Sequence, residues 1–257
     1  MLMSETLYEE LSGIRRARLH GRVGAALVAL GAGGREAPWS DLAHHFVMAA
    51  AERGERSALF LFDESVRTLL IRSQGMGFPM QQQMDAGRIA VESVDPGEIS
   101  PGEFIQRIRH EVEHHGARLV VIDSLNGYFN AMSGEKFVLI QLHELLAYLA
   151  RMGVVTLLIN AQKGLIGQMS NDIDVSYLAD TVILLRYFEA GGEVRQALSV
   201  LKKRTGAHER TIRELTMTPS GVSVGQPLRD FAGVLTGVPH PVGAGRPGNR
   251  RTGQERP

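Results

Sequence analysis

Residues 118–128 read RLVVIDSLNGY. The four apolar residues 119–122 are followed directly by a carboxylate and a hydroxyl, those of Asp123 and Ser124. Consecutive apolar residues, rather than alternating ones, are typical of a β-strand that is covered on both faces. Such strands occur in parallel sheets that have helices packed on either side. The stretch therefore predicts a central parallel strand with polar groups at its carboxyl end.

The same pattern recurs along the chain, with helical segments between the apolar runs. We predict strands at 25–30, 57–62, 88–94, 118–123 and 154–159, and helices at 41–53, 101–115 and 135–152. This alternation predicts an α/β fold with a mostly parallel central sheet flanked by helices. Strand-like segments at 181–189, 193–202 and 210–218 predict an antiparallel C-terminal extension of the same sheet. We expect one domain over 1–239 and a disordered basic tail over 240–257.

Composition limits the classes of function that are plausible. The chain has 257 residues, with 28 basic and 28 acidic side chains and no cysteine. A balanced charge argues against nucleic acid or a membrane surface as the main partner. No apolar stretch approaches the ~20 residues of a membrane span. We therefore expect a cytoplasmic protein without disulfides.

Polar residues follow four of the predicted strands, where each strand ends. A glycine turn with Gly31, Gly33 and Gly34 follows the first, and Asp63-Glu64 follows the second. Asp123 and Gln162 follow the two others. Because ligands of open parallel sheets bind beyond the carboxyl ends of the strands, all four groups are expected along one edge. Carboxylates beside a phosphate-binding turn suit metal-assisted attack of water on a nucleoside triphosphate.

Each of these signals also has a purely structural interpretation. Asp123 has the form of a carboxylate that holds Mg²⁺, but an aspartate at a strand end can simply cap a turn. Asp63 and Glu64 fit a solvated loop or the start of a helix, where acidic residues are favourable. Gln162 alone fits a loop amide better than a phosphate sensor. The functional interpretation is favoured for all of these residues because they are predicted to lie along one edge of the sheet.

Two short motifs compete with this interpretation. The run 110–114, HEVEH, matches the H-E-x-x-H pattern of zinc proteases. Phe104, Ile105, Ile108 and Val112 form the apolar stripe of the same helix, so the histidines are expected toward its edge, at a solvated helix end rather than in a cleft. The S-x-x-K match at 133–136 is better explained by Ser133 capping the next helix.

Several longer blocks together resemble a KaiC-type ATPase domain of the RecA-like superfamily. These blocks cover about four-fifths of the chain and lie at 42–65, 118–128, 145–167, 175–215 and 233–239. The resemblance implies a RecA-like sheet, ATP and Mg²⁺ as ligands, and a homo-oligomeric, hexameric ring with nucleotide between subunits. It also implies a signalling or clock-type role with protein partners.

The resemblance further implies roles for individual residues. Asp63 and Glu64 stand at the paired catalytic carboxylates, and Asp123 stands at the Mg²⁺-binding Walker B position. Lys202, Arg204, His208 and Arg210 match the K-x-R-x-x-x-H-x-[KR] pattern that reaches the nucleotide of the next subunit. A cation supplied in this way stabilises charge on the transferring phosphoryl group. Ser176 stands at a phosphorylated serine of the family, but its neighbour is Tyr177 where a second acceptor threonine is frequent.

The chain departs from the family pattern between residues 15 and 40. It has no G-K-[ST], since Arg35 follows the glycines, Ser40 comes five residues later, and no lysine precedes Lys136. Arginine does not replace lysine conservatively at a phosphate site. Two explanations stay open: an ATPase fold that lost its phosphate grip and serves assembly or signalling, or a segment read out of frame. Resequencing the gene would decide the second, because one alternative frame should then encode G-K-[ST].

Overall fold

A nine-stranded sheet lies at the centre of the computed structural model, which describes residues 25–31, 38–95, 97–131, 135–162, 175–218 and 221–242. Its strands, numbered along the chain, are β1 (Ala25–Gly31), β2 (Arg56–Leu61), β3 (Ile89–Ser93), β4 (Ala117–Asp123), β5 (Val155–Gln162), β6 (Thr181–Ala190), β7 (Glu193–Lys203), β8 (Arg213–Thr218) and β9 (Gly221–Pro227). Their spatial order is β3-β2-β4-β5-β1-β6-β7-β8-β9.

The strand directions divide this sheet into two parts. The six strands from β3 to β6 in the spatial order pair in parallel, and β7, β8 and β9 continue the sheet in antiparallel fashion. The prediction of a mostly parallel sheet with an antiparallel extension is thus confirmed. The sequence did not indicate β9, which lies at the outer edge.

Helices fill the four connections between β1 and β5. They are α1 (Pro38–Glu52), α2 (Val66–Gly75), α3 (Met80–Asp85), α4 (Pro101–Glu113), α5 (Leu125–Ala131) and α6 (Glu135–Arg151). The three longest match the predicted helices, and the sequence did not indicate α2, α3 or α5. Ser65 begins α2 and Ser100 begins α4, each accepting a hydrogen bond from a backbone N–H three residues later. Ser133 lies outside the described residues.

The parallel strands are buried on both faces, which explains why their sequences do not alternate. On one face Phe60, Ile122 and Leu158 pack with the apolar sides of α4 and α6. On the other face Leu61 and Val121 pack with those of α1 and α2. Successive side chains of a strand point to opposite faces, so every residue of a strand in this position must be apolar.

The last described residues add a small second sheet. Phe231–Ala232 (β10) pairs with His240–Pro241 (β11) across a short 3₁₀ turn at Val234–Thr236. This pairing includes the first two residues of the predicted tail, whereas 243–257 lie outside the described residues, so the disorder expected of the tail stays a prediction. None of the helices in the described ranges is both long and apolar enough to cross a membrane.

Candidate active site

The carboxylates predicted to share an edge of the sheet come from adjacent strands. Leu61, the last residue of β2, is in register with Asp123, the last residue of β4. The backbone N–H of Phe62 continues this pairing by donating to the carbonyl of Asp123 at 2.7 Å. Asp63 and Glu64 follow immediately, so both emerge beside Asp123 at the carboxyl edge.

Asp123 is bound by the first turn of α1. The Ser40 hydroxyl donates to Asp123 Oδ2 at 2.6 Å, and both residues are buried, with 4 % and 8 % of their surfaces exposed. Burial raises the pKa of the Asp123 carboxyl to about 6, and the nearby Glu64 and Asp63 add to the effect. The Ser40 hydrogen bond and the charge of Arg72 work in the opposite direction. Ser40 and Asp123 therefore form one buried, hydrogen-bonded pair whose oxygens are suitable metal ligands.

Asp63 is more exposed and is held by the turn that follows β4. The Ser124 hydroxyl donates to Asp63 Oδ2, and it accepts in turn from the backbone N–H of Gly127 at 3.2 Å. Gly127 lies so close to the end of β2 that a Cβ there would sit 2.5 Å from Phe62 Cβ and 2.9 Å from Asp63 Oδ1. The start of α5 thus fits against Asp63 only because residue 127 lacks a side chain.

Glu64 is paired with Arg72 on α2. Arg72 Nη2 donates to Glu64 Oε1 at 2.6 Å, and Arg72 Nε lies 3.0 Å from Asp41 Oδ1 on α1. Arg72 Nη2 also lies 3.3 Å from His44 Nε2. Burial is the largest influence on Glu64 and raises the pKa of its carboxyl, while the Arg72 charge and hydrogen bond lower it.

The glycine turn is described only where it leaves β1. Gly31 is in register with Gln162 of β5, so the last residues of these strands lie side by side at the carboxyl edge. Gly33 and Gly34 lie outside the described residues, as does the side chain of Gln162. The backbone thus brings Gly31 and Gln162 to the edge that carries Asp123.

The basic residues at the end of β7 lie elsewhere in the same chain. Lys202 is in the sheet row of Ile122, four strand spacings away, which is about 19 Å at ~4.8 Å per spacing. Its Nζ donates to the Ser176 carbonyl at 2.9 Å. Arg204 binds the turn at 177–180, through the Tyr177 carbonyl and Asp180 Oδ1. The partners of Lys202 and Arg204 thus lie at 176–180, and not among the carboxylates that end β2 and β4.

The remaining predicted residues lie near this basic cluster. His208 is half-buried and Arg210 is exposed, in the irregular segment between β7 and β8. Ser176 is half-buried in the turn before β6, beside Lys202. The described part of the chain therefore contains two separate groups. The carboxylates lie at the ends of β2 and β4, and the cations lie with Ser176 where β6 begins and β7 ends.

The acidic group suits Mg²⁺ only in company with phosphate. Among the described residues, no group of three or more His, Asp or Glu side chains is placed to bind a metal ion by itself. Mg²⁺ prefers oxygen ligands and is usually held by one or two carboxylates together with substrate phosphates. The Ser40 hydroxyl and the Asp123 carboxylate, already 2.6 Å apart, are donors of that kind. The donor set therefore fits a magnesium–nucleotide complex.

The H-E-x-x-H run lies on the outside of α4. His110 and His114 are exposed, and their rings stack with centroids 4.5 Å apart. Glu111 accepts hydrogen bonds from Arg56, so it is tied to the start of β2. Phe104, Ile108 and Val112 of the predicted apolar stripe are buried, and Ile105, predicted with them, is half-buried against the same core.

Sequence reasoning missed several residues that shape this site. Arg72, Asp41, His44, Ser124 and Gly127 all contact the carboxylates or their partners. Ser124 and Gly127 follow Asp123 in an S-x-x-G pattern, so a strand-end carboxylate followed by this pattern was a usable signal. No sequence pattern marked Arg72, because its contacts with Glu64 and Asp41 depend on how α2 packs.

Comparison with known proteins agrees with this architecture. A family model described as "ATPase: KaiC" matches residues 19–229. The chain is 27% identical over 198 residues to the circadian clock protein KaiC3 of Synechocystis sp., an alignment that covers 76% of this chain and 38% of that protein. It is 26% identical over 202 residues to the circadian clock oscillator protein KaiC of Parasynechococcus marenigrum, covering 78% and 39%. The chain thus spans under two fifths of the length of these relatives.

Proposed function

Because the chain belongs to the KaiC ATPase family, we propose that it binds Mg²⁺-ATP and hydrolyses it between subunits of a homo-oligomeric, hexameric ring. The observation that supports this most directly is the 2.6 Å hydrogen bond between Ser40 and Asp123, with Asp63 and Glu64 beside it. A hydroxyl at a helix start and a strand-end aspartate are the pair that holds Mg²⁺ in nucleotide hydrolases of this kind. The absence of cysteine favours the cytoplasm, and the names of the relatives favour a signalling or clock-type regulator.

The side chains divide the proposed reaction among themselves. Asp63 and Glu64 orient the attacking water and accept its proton, since both emerge beyond the strand ends next to Asp123. Ser40 and Asp123 hold the metal, which when bound neutralises charge on the phosphates. Lys202 and Arg204 of one subunit stabilise the phosphoryl group bound by the next, because Lys202 lies four strand spacings, about 19 Å, from Ile122, the neighbour of Asp123 in its own chain.

The proposal is tested by measuring ATP hydrolysis with and without Mg²⁺. Glu64→Gln and Asp123→Asn should each lower the rate at least 100-fold, and Asp85→Asn, on the exposed part of α3, is the matched control. Mixing Glu64→Gln chains with Arg204→Ala chains should restore part of the activity, since some interfaces then contain neither defect. Absence of Mg²⁺-dependent hydrolysis in the unaltered oligomer would refute the proposal.

A second function is favoured by one specific observation, the absence of any lysine before Lys136. Phosphate binding at a helix start normally combines backbone N–H groups with a lysine. Without it, the chain could serve as a non-catalytic assembly or signalling module. An ATP titration with Mg²⁺ on this chain and on one with G-K-[ST] restored separates the two: a large gain in affinity supports the module, and similar affinities support the ATPase.

Autophosphorylation of Ser176 is a narrower part of the proposed function. Ser176 lies with Lys202, away from the carboxylates of its own chain, so a phosphoryl group would have to come from a neighbouring subunit. Incubation with Mg²⁺-ATP followed by mass spectrometry should reveal phosphate on Ser176, with Ser176→Ala as the control. Unmodified Ser176 in an oligomer that hydrolyses ATP would remove this part alone.

A further inference from the structure

Arg72 is a buried cation at the acidic edge that the proposed reaction leaves without a role. Its side chain is 10% exposed, and it lies on α2, whereas its partners Glu64, Asp41 and His44 come from the tip of β2 and from α1. We infer that Arg72 is a positioning residue: it binds Glu64 directly and is itself fixed by contacts with the first turns of α1. This inference rests on the proposed function, because it assigns how the water-activating carboxylate is kept in place.

The orientation of Arg72 is set by what each partner can accept. A guanidinium only donates, so His44 Nε2, 3.3 Å from Arg72 Nη2, is the acceptor. The proton of this imidazole is then on Nδ1, which donates to Ser73 Oγ at 3.3 Å. Burial lowers the pKa of His44 to about 3, with the Arg72 charge as a second cause, so the ring stays neutral. His44 thus fixes the guanidinium without competing for Glu64.

The contact with Asp41 joins Arg72 to the part of α1 that would face the phosphates. Arg72 Nε and Asp41 Oδ1 are 3.0 Å apart, an ion pair without the alignment of a directed hydrogen bond. Asp41 follows Ser40, the residue that binds Asp123. One guanidinium therefore connects Glu64 to the same helix turn that positions the metal ligands, and a displacement of that turn would displace Glu64.

The charges around Glu64 make this cation necessary for its function. The charges of Asp63, from its own turn, and of Asp123, from β4, act on Glu64, and Asp41 and His44 of α1 contact the same guanidinium. Arg72 is the only cation among the described residues that pairs with it. A carboxylate must be ionised to accept a proton, and its burial beside other acids opposes ionisation. Removing Arg72 leaves that opposition without compensation.

The first test measures hydrolysis in a double-mutant cycle. Arg72→Gln should lower kcat by about 10- to 100-fold with KM changed less than threefold, and move the acidic limb of the pH profile upward. In a Glu64→Gln background the same change should alter kcat less than about twofold, because Arg72 then has no carboxylate to position. Arg72→Lys keeps the charge without the planar fork and should fall in between. Arg67→Gln, exposed on the same helix, is the control and should match the unaltered chain.

The second test needs no activity, so it separates failure of this inference from failure of the proposed function. A ¹³C NMR titration of the Glu64 side-chain carboxyl in the unliganded protein should show a higher pKa in Arg72→Gln than in the unaltered chain or Arg67→Gln. Arg72→Lys serves the same measurement if the glutamine variant does not fold. The inference is overturned if the Glu64 pKa is the same in all four proteins, or if Arg72→Gln lowers kcat equally with and without the Glu64 carboxylate. If the Glu64 pKa shifts in a protein that hydrolyses no ATP, the positioning role of Arg72 stands and only the proposed ATP hydrolysis is refuted.

Discussion

Asp123 is predicted to destabilise the unliganded fold at neutral pH, so Asp123→Asn should be more stable than the unaltered chain. The Asp123 pKa rises from 3.8 to about 6 on folding because the carboxyl is buried. The folded state therefore binds this proton more tightly than the unfolded state, and the free energy of unfolding falls as pH rises from about 3.8 to about 6. A difference of about 2 pH units at ~1.36 kcal/mol each corresponds to about 3 kcal/mol.

The assay compares urea unfolding of the two proteins at several pH values, with EDTA and no nucleotide, at one protein concentration. The Asn variant should be more stable by about 3 kcal/mol at pH 7.5 and by about 1.5 kcal/mol at pH 5, because Asp123 is then mostly protonated in the folded state. Titration of groups remote from Asp123 cancels in the difference. Asp230→Asn, at an exposed position, is the control and should differ from the unaltered chain by less than ~0.5 kcal/mol throughout. A variant that is no more stable at pH 7.5, or whose advantage does not shrink at lower pH, would refute the reasoning.

Three further predictions concern single contacts. Gly127→Ala should lower the free energy of unfolding by about 1–3 kcal/mol in urea, because the new Cβ would meet Phe62 Cβ at 2.5 Å; an unchanged midpoint would show that α5 shifts freely. Leu142→Ala, fully buried on α6, should cost about 2–5 kcal/mol, whereas Ile140→Ala, 58 % exposed on the same helix, should cost under ~0.5 kcal/mol; equal effects would contradict the packing. Ser40→Ala should raise the pKa of Asp123 above about 6 in a ¹³C NMR titration, because the hydroxyl favours the ionised form; a lower or equal pKa would show that the hydrogen bond is unimportant.

The part of the site that sequence predicted best is the part that follows from strand direction. Asp63 and Asp123 each come directly after an apolar run, and parallel strands end at one edge, so their proximity required only that β2 and β4 be neighbours. The basic cluster was recognisable only as a pattern. Its separation from the acids became visible once β7 was placed four strands from β4.

The sequence by itself determined the three long helices and which strands are apolar throughout, because helix period and strand burial are local patterns. The alternation of these strands with helices indicated a mostly parallel sheet, and the glycine turn at 191–192 indicated the antiparallel extension. Tertiary structure alone decided the partners of Glu64. Arg72 is eight residues away along the chain, and its contact with His44 and Asp41 depends on how α2 packs against α1. The same holds for Gly127, whose small size matters only because α5 begins against the tip of β2. Contacts between elements depend on register and packing angle, and no local pattern in the chain encodes those quantities.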